Sequence, residues 1–141
     1  LIDTDVVIDG DLTITGSVNI VGGSTVNLTV QRFTVAGGAN SDPNSSSNIT
    51  FVSVSGAGVG SGTMTAASGV DGFLKQIVIS SLASGTSYEL LFPTGRYIDV
   101  SGTGIAKKMI FNCSGQSAQF VWDDTIGSYF LTQGGAEVVL A

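Results

Sequence analysis

Histidine is absent from this 141-residue chain, and cysteine occurs once, at Cys113. The missing imidazole removes the commonest general base and the commonest metal ligand together. Ser-His-Asp catalysis, histidine-ligated zinc and HExxH chemistry are therefore excluded. A single cysteine cannot close a disulfide within the chain, and with no histidine beside it Cys113 reads as a small buried hydrophobe. Charge is scarce as well. Arg32, Lys75, Arg96, Lys107 and Lys108 stand against 11 acidic residues, for a net charge of -6. No basic patch able to hold a phosphate backbone can be assembled from them, so nucleic acid is not an expected partner. No apolar run approaches the ~18 residues of a membrane-spanning helix, and membrane insertion is not expected. The chain has no G-x-S-x-G elbow, no G-x-G-x-x-G and no phosphate-binding Gly-Lys-Ser/Thr. Glu89, Asp99 and Glu137 fall on separate segments, unlike the paired carboxylates of a glycosidase. Neither an enzyme nor a cofactor or metal site is expected. The sequence opens on Leu1 without an initiator methionine, and the expectation is a segment of a longer polypeptide.

What is abundant is glycine, with 20 residues, together with Val, Ile, Thr and Ser. This is the composition of an all-β protein with tight turns. The most regular pattern lies near the N-terminus. Every even-numbered residue from Val6 to Val30 is apolar or glycine, Ser24 excepted, and the odd positions are mostly Asp, Thr, Ser and Asn. Such alternation gives a strand one dry and one wet face. Gly10, Gly16 and Gly22 punctuate it every six residues, as in an extended fibrous β element. Asp3, Asp5, Asp9 and Asp11 share the wet face, where charge guards an open edge against aggregation.

Residues 1–36 are read as a fibrous β-repeat stalk. Residues 37–62 are read as a loop and Gly-rich connector with one short strand at Ile49–Val54, and residues 63–141 as a small antiparallel β-sandwich head. Around Gln31-Arg32 the apolar register moves from even to odd positions, at Phe33 and Val35, which marks a corner at the end of the stalk. Candidate head strands are Phe73–Ile79, Tyr88–Phe92, Arg96–Val100, Ile105–Phe111, Ala118–Trp122, Tyr129–Thr132 and Glu137–Leu140, divided by Gly, Asp and Ser turns. Phe120 and Trp122 share a strand face and read as sandwich core. Asp123-Asp124 reads as turn chemistry at a hairpin tip.

The stalk strand cannot stand alone. One row of apolar side chains does not repay the entropy of ordering the backbone, and a free strand has unpaired edges and an uncovered dry face. Three identical strands around one axis supply both needs, with Val6, Ile8, Leu12, Ile14, Val18, Ile20, Val26, Leu28 and Val30 as the trimer core. A single-chain β-solenoid is the competing geometry, but it needs several coils to hide its core, and only three to four hexads are visible.

The stretch Val7-Ile8-Asp9-Gly10-Asp11-Leu12-Thr13-Ile14-Thr15-Gly16-Ser17-Val18-Asn19-Ile20 resembles the x-G-D-L-T-V-T-G-x-L-x-V segments of tail-fibre and spike proteins of tailed bacteriophages. The continuation Ser24-Thr25-Val26-Asn27-Leu28-Thr29-Val30 is similar to the T-x-I-N-T-x-x-L-x-V run that follows in those proteins. The C-terminal half resembles small β-sandwich heads of phage and large-DNA-virus fibres. It carries Gly72-Phe-Leu-Lys75-Gln-Ile, Gly115-Gln-Ser-Ala-Gln-Phe-Val-Trp122 and Ser128-Tyr-Phe in their order. The resemblance implies a homotrimeric virion appendage, a tail fibre or capsid-attached fibre. Its partners would be further copies of itself, other virion proteins and a host-surface glycan or protein. It brings no shared catalytic residues. A bacterial or archaeal cell-surface adhesin is the alternative, and a polysaccharide-degrading tailspike fragment ranks below both. On the head, Arg96 with Tyr97, and Lys107-Lys108 on a neighbouring strand, are the candidate receptor surface.

Overall fold

The computed structural model describes residues 9–11, 13, 15–16, 28–67, 69–92, 97–98, 106–135 and 137–140, with the backbone alone at 97–98, 106–107 and 137–140. Among them the chain forms ten strands and no helix: β1 (Val30–Ala36), β2 (Ile49–Ser55), β3 (Val59–Thr63), β4 (Leu74–Leu82), β5 (Ser87–Leu91), β6 (Tyr97–Ile98), β7 (Ala106–Phe111), β8 (Ser117–Asp123), β9 (Ser128–Gly134) and β10 (Glu137–Leu140). A six-stranded sheet has the order β1-β2-β4-β8-β9-β6, and a four-stranded sheet the order β10-β7-β5-β3. The two share one core, as in a β-sandwich. Val52, Val54, Ile77, Ile79, Phe120 and Trp122 of the larger sheet meet Tyr88, Leu90, Met109 and Phe111 of the smaller.

The sheets are mixed, not antiparallel as the turn spacing suggests. β1–β2, β2–β4, β3–β5 and β6–β9 run parallel, whereas β4–β8, β8–β9, β5–β7 and β7–β10 run antiparallel. The reason lies in the corners. After β2 the chain does not fold back as a hairpin. It arches across the core into the other sheet as β3, returns as β4, and crosses again as β5. Strands two apart in sequence then lie side by side and point the same way. The loop between β1 and β2 makes the same excursion, since Asn40 bridges Ser61 of β3 in parallel. The first half of the sandwich is thus wound as a flattened coil, and its second half closes mostly by antiparallel pairing.

Glycines permit the tight stacking of successive turns. Gly37 sits against the carbonyl of Ala57 with no room for a Cβ, and Gly58 (φ +107°) occupies backbone space open mainly to glycine. Gly37 N–H donates to Ser55 O and Gly38 N–H to Val59 O, both at 2.8 Å, which ties one corner to the next.

Two expectations change here. Val59–Thr63, most of it within the segment read as a flexible or closely packed Gly-rich connector, is a regular strand; its inward positions are Gly60 and Gly62, closely packed against Val35, Val54 and Tyr88, so no apolar alternation betrays it. Val30–Ala36, read as the end of the stalk, is the edge strand of the larger sheet. On β1 the odd positions face inward, with Val35 buried and Phe33 half-buried. Of the proposed stalk core, Leu28 and Val30 are 44% and 49% exposed. Val6, Ile8, Leu12, Ile14, Val18, Ile20 and Val26 lie outside the described residues.

Candidate functional site

The inner face of the larger sheet is sealed in the core, so its accessible side chains lie on the outer face and in the loops. On β1 and β2 alternation sends Arg32, Thr34, Phe51 and Ser53 outward, while Val52 and Val54 go into the core. Parallel register places Arg32 directly opposite Phe51 and Thr34 opposite Ser53. The Arg32 guanidinium carbon lies 4.0 Å over the centre of the Phe51 ring, a cation–π contact. On the far side, the β2–β4 pairing slips by one residue between Val52 and Ser53. Both Ser80 and Ser81 are consequently exposed, as bulges re-aim side chains. The result is an open trough of about 420 Å³ lined by Arg32, Phe33, Thr34, Phe51, Ser53 and Ser80. Among the described residues Arg32 makes no ion pair and donates no hydrogen bond.

The inner end of the same three strands carries a buried cation. Lys75 is fully buried, and its ammonium donates to Asn44 O at 2.8 Å, Ser47 O at 2.7 Å and Thr50 Oγ1 at 2.7 Å. Thr50 Oγ1 in turn donates to Gln31 Oε1, which also accepts from Asn44 N–H. No carboxylate faces the ammonium among these partners, and burial pulls its pKa down to about 8. Lys75 therefore staples the β1–β2 loop to the floor of the sandwich. Its role is architectural.

The receptor-surface candidates are not brought into one patch by the sheet order. Tyr97 lies on β6, at the edge of the larger sheet, and Lys107 and Lys108 lie on β7 in the smaller sheet; Arg96 lies outside the described residues. Lys108 is paired with Glu89 at 2.9 Å. The aromatic cluster is core, as its spacing indicates: Phe120, Trp122 and Tyr129 are buried, with Trp122 and Tyr129 edge-on at 4.9 Å. Burial pushes the Tyr129 hydroxyl up to about 12, while it donates to Thr65 O. Asp123 and Asp124 do turn chemistry. Asp123 Oδ1 accepts from Ile126 N–H, and Asp124 Oδ1 accepts from Trp122 Nε1 and Gly69 N–H. Cys113 is a correction: it is exposed, in the turn that follows β7, because the inward row ends at Phe111.

A second shallow hollow lies between Ser114–Ser117 and Gln133–Gly135, bridged by Gln116 Nε2 donating to Gly135 O at 2.7 Å. Among the described residues no group of three or more His, Cys, Asp or Glu side chains is placed to hold a metal ion. Sequence reasoning missed Arg32 with Phe51, since neither residue stands out until the strands are paired in parallel. No protein-family model matches the chain, and no curated protein matches it significantly.

Proposed function

We propose that this chain is a virion structural protein, the distal part of a homotrimeric fibre or spike whose C-terminal head attaches the particle to a host surface. The observation that carries the reading is the even-numbered apolar row, Val6 to Val30. Its two described members, Leu28 and Val30, are left about half exposed by their own chain. An apolar row that continues this alternation, and whose described members its own chain leaves half open, calls for copies of the same strand. The resemblance of the Val7–Ile20 stretch to phage fibre segments supports the same assignment, and so does a head whose described residues form strands and no helix. The head contributes a rigid surface, not a catalytic cleft.

The test is the mass in solution, by sedimentation or light scattering. The expected value is three times the 14.3 kDa chain mass, unchanged on dilution through the micromolar range. A monomer under those conditions would overturn the fibre reading.

A further inference from the structure

We infer that the outer-face trough of β1, β2 and β4 is a binding site for a carboxylated sugar residue, with Arg32 as the carboxylate anchor. This deepens the attachment role proposed above and rests on it. The chemistry follows from what the trough presents. A guanidinium offers a planar fork of N–H donors that matches a carboxylate two bonds at a time, and it cannot lose its charge. Arg32 has no acidic partner among the described residues, although acidic residues outnumber basic ones 11 to 5 in the chain. Here the Phe51 ring holds one face of the guanidinium at 4.0 Å. Such stacking fixes the plane of the fork and leaves its edges open, so less freedom is lost when a ligand binds.

The rest of the lining selects the kind of carboxylate. Thr34, Ser53 and Ser80 contribute hydroxyls that make no hydrogen bond among the described residues. A hydroxyl both donates and accepts, as do the hydroxyls of a pyranose ring. The volume, about 420 Å³, is at the lower end of ligand sites, which run roughly 300–1,000 Å³. It has room for one sugar residue of a chain at a time. A single contact of this size binds weakly, and three heads on one fibre would raise the avidity. The one-residue slip that exposes Ser80 is a local departure from regular pairing at the rim of this trough.

The experiment measures binding of the purified trimer to immobilised polygalacturonate and polysialic acid. The same polymers after carboxyl reduction, and polyglutamate, serve as comparisons in about 0.15 M salt. The expected result is binding to the carboxylated sugars only, reduced about tenfold or more by Arg32→Gln and partly by Arg32→Lys, which keeps charge without the fork. Phe51 is a positioning residue: Phe51→Leu should weaken binding, and Phe51→Tyr, which keeps the ring, should restore it. Ser80→Ala, at an exposed site, should lower affinity a few-fold.

The inference is overturned if the trimer binds none of the carboxylated sugars, or binds the reduced polymers equally well. It is also overturned if Arg32→Gln binds like the parent, or if polyglutamate binds with the same Arg32 dependence. Loss of trimer mass on Arg32→Gln would show the trough to be a contact between copies and would likewise overturn it. An intact trimer that ignores these sugars leaves the fibre assignment standing, so the two failures are distinguishable.

Discussion

The Tyr88 hydroxyl donates to the Ser41 carbonyl at 3.0 Å, and Gly62 passes so close to both atoms that any Cβ there would fall on them. One glycine on β3 thus lets a buried phenol reach across to the β1–β2 loop. Burial and the nearby Asp42 carboxylate push the Tyr88 pKa far up, so the hydroxyl remains a donor at any pH of interest.

Gly62→Ala should therefore destabilise the head by about 2–4 kcal/mol, combining overpacking with a lost buried hydrogen bond. Tyr88→Phe alone should cost about 1 kcal/mol. The double variant should be less unstable than the sum of the two, because removing the hydroxyl opens space for the methyl group. Urea denaturation of the four proteins checks this, and strict additivity would refute the close approach.

Lys75 makes stability depend on alkaline pH. Its folded pKa of about 8 lies below the ordinary 10.5. Between those values the unfolded chain binds more protons than the folded one, so stability rises with pH, by up to about 3 kcal/mol. The neutral amine can still donate two of its three hydrogen bonds. Tyr88 and Tyr129 act in the opposite sense. Their raised folded values mean that above about pH 10 the unfolded chain releases protons the folded one keeps, and stability falls. A denaturation series should show a maximum near pH 10. Lys75→Met should cost about 1–3 kcal/mol at pH 7, since Asn44 and Ser47 carbonyls lose their donor, and should erase the rise while keeping the fall.

Leu28 and Val30 distinguish a lone chain from an assembly. Both are about half exposed within their own chain, and for a monomer Leu28→Ser with Val30→Ser should change stability by less than about 0.5 kcal/mol per site. In a trimer the same pair would expose hydroxyls at a shared apolar seam. The expected outcome is a mass that becomes concentration-dependent while the circular dichroism of the head is unchanged. Sedimentation at two concentrations decides it.

Strand positions were legible where alternation met the core. Ile49–Val54 anticipates β2, observed as Ile49–Ser55, and Glu137–Leu140 coincides with β10. Pairing was not legible, because a glycine corner reads alike whether the chain turns back or arches over. Gly56-Ala57-Gly58 sends β2 into the opposite sheet, whereas Asp123–Gly127 joins β8 to β9 as a hairpin. β3 was invisible for a steric reason: Gly60 and Gly62 stand inward because Val35, Val54 and Tyr88 fill the space their side chains would need. Lys75 left a legible trace, a charge in the inward row Lys75-Ile77-Ile79, but nothing in the sequence named its acceptors. The Arg32–Phe51 pair depends on parallel register, so no local pattern announces it.

Asp124 links the β8–β9 hairpin tip to Gly69 through the chain's single tryptophan. Its carboxylate accepts from Trp122 Nε1 at 3.0 Å and from Gly69 N–H at 2.7 Å. The indole bond first, and the backbone bond second, hold its pKa below the usual 3.8. A carboxyl depressed in the folded state contributes stability that is present above its unfolded pKa and is lost as pH falls through the folded value. Trp122 fluorescence should report that loss directly. Acid titration is expected to give an emission change with a midpoint below 3.8, and Asp124→Asn should abolish the step while leaving the neutral-pH fold intact. The amide oxygen can still accept from both donors but carries no charge, so both bonds should weaken and the Gly69 turn should loosen, seen as faster amide exchange at residues 69–72. An unshifted midpoint, or a step that survives the substitution, would separate the tryptophan from Asp124 and assign the tip to its other bonds, such as those of Asp71 and Asp123, which accept from Asp124 N–H and Ile126 N–H.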